Sequence, residues 1–118
     1  MCVRIVVTGG RDYDDETTVA IVLSWFAREG LRVAHGDCPT GADALVKAWC
    51  RVNGTTVAAY PAAWTTHGRA AGPLRNERML TEERPDLVIA FPGGRGTGDC
   101  VTRAVAKNIP VLRIPRST

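Results

Sequence analysis

The chain is poor in lysine, histidine and aromatic side chains: Lys47 and Lys107 are its only lysines, His35 and His67 its only histidines, and Phe, Trp and Tyr make up 6% of it. It has no apolar run near the roughly 20 residues that span a bilayer. No basic segment precedes the short apolar stretch at the start, so that stretch reads as a strand rather than a signal peptide, and a cytoplasmic location is expected. Cysteine is sparse and scattered. Cys2, Cys38, Cys50 and Cys100 form no CxxC pair, which argues against a disulfide framework. His35 and Cys38 have a zinc-compatible spacing, but Cys100 and His67 would have to be recruited from other loops, so no metal or other cofactor is expected. Neither GxGxxG nor GxxxxGK[ST] occurs, which removes the usual dinucleotide fingerprint and the Walker loop.

What is present is ordinary globular composition, 45% hydrophobic and 23% charged over 118 residues, which suits a single domain spanning 1–118. The formal charge of +3 is unevenly spread: residues 1–59 carry 6 basic and 7 acidic side chains, residues 60–118 carry 9 and 5. Arginine supplies nearly all the positive charge, which suits an anionic ligand and is equally what a GC-rich coding bias produces. Without a basic run, nucleic acid is a possible partner but not the favoured one.

Five β-rich apolar runs alternate with four helical patterns. Val3–Thr8, Arg32–His35, Thr56–Tyr60, Asp86–Phe91 and Val111–Ile114 read as strands, several apolar throughout as strands covered on both faces should be. Val19, Val22, Leu23 and Phe26 form one helix face, capped by Asp14 or Asp15 and ended by Gly30. Ala42, Leu45, Val46 and Trp49 form a second, closed by Asn53-Gly54. A third helix is expected from about Pro73 to Glu83 and a fourth from about Gly98 to Lys107. This rhythm predicts an α/β fold with a parallel sheet of about five strands and helices on both faces.

Ligands of open α/β sheets bind at the carboxyl ends of the strands, beside helix N-termini. The unusual residues fall there. Gly93, Gly94 and Gly96 can bring backbone N–H groups close to an anion, and Thr97 is placed to cap the helix or touch that anion. A tight turn that needs glycine for geometry alone is the plainer explanation. Gly9-Gly10-Arg11 is a shorter version, with Arg11 able to fork onto phosphate. Thr40 and Asp43 fit a capping box, and Asp43 equally suits ribose hydroxyls. Arg75 and Met79 share a helix face; Arg75, placed in the first turn, opposes the helix dipole and so calls for an anion nearby. His67 is the better acid/base candidate of the two histidines, His35 reading as structural. Trp64 either stacks on a base or packs as a lid.

Together, HGDCPTGAD (35–43), the stretch from Trp64 through AGPLRN to Met79, and FPGGRGT (91–97) resemble the YspA/YpsA-related branch of the SLOG superfamily over nearly the whole chain. That superfamily includes the LOG phosphoribohydrolases and the DNA-binding Smf/DprA proteins, and small members of this branch are common in phages. The resemblance implies a Rossmann-like, doubly wound domain that binds nucleotides or nucleotide-derived signals. It also implies that Arg75 and Met79 match an R-x-x-x-M motif and Pro92–Thr97 most of PGG-x-GT-x-x-E. The glutamate of that motif falls on Cys100, a thiol that is a poor substitute for a carboxylate at an oxocarbenium-like centre. Asp99 could serve only if the helix start shifted.

The expected ligand-binding residues are Gly9, Gly10, Arg11, Gly36, Gly41, Asp43, Arg75, Asn76, Gly93, Gly94, Gly96 and Thr97. Arg75 and Asp99 are the catalytic candidates if the protein is an N-glycosidase, the alternative to simple nucleotide binding. Single-stranded nucleic-acid binding through the basic second half is another alternative. A homodimer or higher homo-oligomer is expected, with Trp25 or Trp49 projecting into the partner.

Overall fold

A computed structural model describes residues 3–116. The strands are β1 (Val3–Thr8), β2 (Leu31–His35), β3 (Thr56–Ala59), β4 (Leu87–Ala90) and β5 (Val111–Arg113). They form one parallel sheet in the order β3-β2-β1-β4-β5. Successive residues of β1 point to opposite faces. Ile5 and Val7 join Val33, Ile89 and Phe91 beneath α1 (Glu16–Phe26) and α2 (Gly41–Asn53), whose Val19, Val22, Leu23 and Val46 are fully buried. Val6 and Val88 pack on the other face against Met79, Leu80, Cys100 and Ala104 of α4 (Ala71–Glu83) and α5 (Arg95–Ala106). The sheet is therefore doubly wound, with its order reversing between β1 and β4. Among the described residues no helix is long and apolar enough to cross a membrane.

Two helix starts differ from expectation. The fourth expected helix, α5, begins at Arg95 instead of Gly98: Gly94 takes the N-cap position and its carbonyl accepts Gly98 N–H at 3.0 Å. The low helix propensity of Gly96 and Gly98 hid this turn. The third expected helix, α4, begins at Ala71 instead of Pro73, continuing from a short helix α3 (Trp64–His67) and a 3-10 turn (Gly68–Ala70) inside what read as a loop. Proline is tolerated at its third position because the first-turn N–H groups lack helical partners anyway. Asp15 caps α1, its carboxylate accepting from Thr18 N–H at 3.0 Å and Thr18 Oγ1 at 2.6 Å, whereas that helix stops at Phe26, well before Gly30. Asp15→Ala should lower stability by about 1 kcal/mol in urea unfolding.

The far end of α4 is tied to the sheet by a buried carboxylate. Glu83 accepts two hydrogen bonds from the Arg32 fork, at 2.8 and 3.1 Å, and a third from the Tyr60 hydroxyl. Its main-chain carbonyl accepts from Arg4 Nη1 at 3.0 Å. Trp49 packs half-buried against the first core cluster, while Trp25 is exposed.

Candidate functional site

Where the strand order reverses, the carboxyl ends of β1, β2 and β4 open into a cleft of about 480 Å³. Arg11, Arg69, Arg75 and Arg95 line it, against two carboxylates, Asp43 and Asp99. Of the residues singled out in the sequence, Gly9, Gly10, Gly36, Asn76, Gly94, Gly96 and Thr97 also line it. Gly41 and Gly93 do not. A Cβ at Gly41, which has φ +75°, would lie 2.1 Å from the Gly10 carbonyl oxygen; one at Gly93 would lie 2.2 Å from Thr97 Oγ1 and 2.7 Å from Gly10 N. Both glycines let neighbouring loops touch behind the cleft. Around Gly94 and Gly96, by contrast, an added Cβ meets no atom within 4 Å.

Arg75 sits beyond the first turn, because α4 starts at Ala71, and so it does not oppose the dipole at the helix start. Its side chain is held by protein oxygens: Nη1 donates to Gly36 O at 2.5 Å and Tyr60 O at 3.3 Å, and Nε to Asn76 Oδ1 at 2.9 Å. Gly36 is glycine because the guanidinium occupies its side-chain space; a Cβ there would fall 2.3 Å from Nη1. Arg75 Nη2 has no hydrogen-bond partner among the described residues.

Asn76, buried, passes the arrangement on to α5: its Nδ2 donates to Gly96 O at 3.2 Å and to Asp99 Oδ2 at 3.0 Å. Asp99 Oδ2 also accepts from Arg103 Nε at 2.9 Å, and Arg103 Nη1 donates to Glu77 Oε1 at 3.1 Å. Lys107 and Arg103 hold the Glu77 carboxyl below its ordinary range. The early start of α5 thus accompanies an Asp99 that lines the cleft. Cys100 is wholly buried in the second core cluster, and burial pushes its thiol up to about 11. It is a core side chain and not a nucleophile.

The capping box does not form. Thr40 is the N-cap of α2, but its hydroxyl donates to Arg11 O at 2.8 Å, and the Asp43 carboxylate accepts from Cys38 N–H at 3.2 Å. The competing loops offer these groups better partners than the helix end does. Likewise, Thr97 makes no cap bond to α5. His35 is buried, with Nδ1 accepting from Asp37 N–H at 2.9 Å; desolvation lowers its pKa and leaves it neutral with the proton on Nε2. His67 lines a separate hollow with Tyr60, Leu74 and Arg78. Cys38, Cys50 and Cys100 are free thiols, and Cys2 lies outside the described residues. Among the described residues no three His, Cys, Asp or Glu side chains cluster to hold a metal. Sequence reasoning missed Arg69 and Arg95; their only signal was a place in the two ligand-end loops.

Residues 3–67 match a family described as the YspA, cpYpsA-related SLOG family. Gene 61 protein of Mycobacterium phage D29 is 37% identical over 119 residues, covering 92% of this chain and 94% of that protein. The chain belongs to the YspA, cpYpsA-related SLOG family. The match ends at the close of α3, so this SLOG chain brings Arg75, Asn76 and the Gly94–Thr97 turn to the cleft from beyond the matched segment. Its fold is also similar to UDP-GlcNAc 2-epimerases. The enzyme from Neisseria meningitidis, bound to UDP-GlcNAc, superposes with a TM-score of 0.61 at 13% identity, over 94% of this chain and 31% of that one. The Methanocaldococcus jannaschii enzyme, in complex with UDP-GlcNAc and UDP, gives 0.55 at 16%, over 94% and 32%. The SLOG chain spans about a third of those enzymes, and the likeness is one of fold.

Proposed function

We propose that the cleft binds a nucleotide or nucleotide-derived ligand through its phosphate. One observation carries this reading: α5 starts at the arginine-lined cleft with no side-chain cap, and at Gly94 and Gly96 the position of an added Cβ is open, with no neighbouring atom within 4 Å. Such a turn leaves N–H groups and the positive end of the helix dipole for an anion. Arg95, Arg69 and the open Nη2 of Arg75 add charge-assisted donors. Family membership, and the nucleotide-sugar ligands recorded for the two structural neighbours, support the same class of ligand.

Asp99 favours a second reading, N-glycosidase action on a nucleoside monophosphate. It lines the cleft, and its Oδ2 is held by Asn76 and Arg103, while Oδ1 makes no hydrogen bond among the described residues. Calorimetry with AMP and adenosine tests the first reading, and chromatography of the mixture tests the second. AMP should bind and adenosine should not; equal binding of both rules out phosphate as the anchor. Release of free adenine, lost in Asp99→Asn, would establish hydrolysis.

A further inference from the structure

Trp64 opens α3 and lines the cleft with 47% of its surface uncovered. Its ring is not adrift. The Arg11 guanidinium lies 5.3 Å from the ring centroid, within the range where a cation is attracted to an aromatic face. The ring edge reaches to 3.3 Å from where a Cβ on Gly72 would sit, so the lack of a side chain there gives the indole its seat. Arg11 is anchored in turn by the Thr40 hydroxyl on its carbonyl. An indole packed only for stability buries its surface, as Trp49 does more fully against the core. Trp25 is more exposed than Trp64 but lies outside the cleft.

Trp64 is thus oriented by two neighbours, half bare, and set in a cavity whose other notable feature is four arginines. With Arg11 over one face, the uncovered part of the indole is a flat apolar surface in a cationic cleft, which matches a ligand that joins a flat ring to an anion. We propose that Trp64 is the platform on which the base of the bound nucleotide stacks, an inference that rests on the phosphate reading above. Stacking on an indole accepts any base, so this subsite selects for the presence of a base and leaves its identity to other contacts.

Titration of the full chain with AMP and with ribose 5-phosphate separates this inference from the reading beneath it. AMP should bind roughly 10-fold to 100-fold more tightly than ribose 5-phosphate, the scale of one stacked base. Trp64→Ala should bring the ratio of AMP to ribose 5-phosphate affinity close to one, and Trp64→Phe should retain most of that ratio. Equal affinity for the two probes in the unaltered protein overturns the base subsite and leaves phosphate binding standing. A base advantage that survives in Trp64→Ala, with the variant folded by circular dichroism, also overturns it by placing the base elsewhere. Should neither probe bind the unaltered protein, the phosphate reading fails and the subsite with it.

Discussion

Gly94→Val is expected to weaken AMP binding by roughly 100-fold or more, about 3 kcal/mol, without unfolding the protein. The branched side chain meets no protein atom near its Cβ, so it grows into the space where phosphate would approach the start of α5. Its effect on stability should stay within about 1 kcal/mol, the scale of an altered N-cap. Gly93→Val, one residue earlier, should do the reverse. Its Cβ would collide with Thr97 and with the Gly10 backbone, and overpacking of that kind costs about 1–3 kcal/mol. Urea midpoints and AMP titrations on both variants read the contrast directly. Normal AMP affinity in a folded Gly94→Val protein would show the turn to be only a turn.

The largest loss of stability is expected from Glu83→Ala. The carboxylate is 4% exposed and satisfies Arg32 and Tyr60 together, so its removal strands a charged fork and a hydroxyl. Breaking such a pair costs about 3–5 kcal/mol, toward the lower end here because the Arg32 side chain is 37% exposed. The same group gives the protein an acid limit. The Arg32 hydrogen bonds hold the Glu83 carboxyl below its ordinary 4.5, so its contribution is complete above that value and is lost as pH falls through the lowered native one. Tyr60 sets an alkaline limit: burial, with Glu83 beside it, raises its hydroxyl to about 12, so stability declines as pH rises from 10 toward 12. Thermal melts across pH should show both limbs. An acid limb as steep in Glu83→Ala as in the parent would assign it to other carboxylates.

Much of this fold was legible because burial on both sheet faces writes itself as unbroken apolar runs. Val6 and Val7 point to opposite helix layers, and both had to be apolar. The helix starts were less legible, since glycine and proline look like breakers wherever they stand. At Gly94 and Pro73 the chain uses positions where an unsatisfied or absent N–H does no harm. The glycines pointed to the end of the sheet where the cleft opens but not to their separate roles. Gly36 and Gly93 are explained by an arginine and a threonine pressed against them, neighbours set by tertiary packing. Asp43 illustrates the same limit: its spacing from Thr40 satisfies a local rule, but the distant Arg11 carbonyl takes the Thr40 hydroxyl and Cys38 N–H, just before the helix, takes the Asp43 carboxylate. The Arg32–Glu83 pair, 51 residues apart, left no mark in the sequence.

The seat of Arg75 also determines when the cleft can exist. One guanidinium joins the loop after β2, 39 residues away, the end of β3, 15 away, and its helix neighbour Asn76, which reaches on to α5. These contacts span far more chain than a helix hydrogen bond, so they close only after the local helices have formed. The cleft therefore assembles after the helices that carry its residues. A half-folded chain can show full helical signal and still lack the site, so recovery of AMP binding during refolding should lag behind recovery of helix.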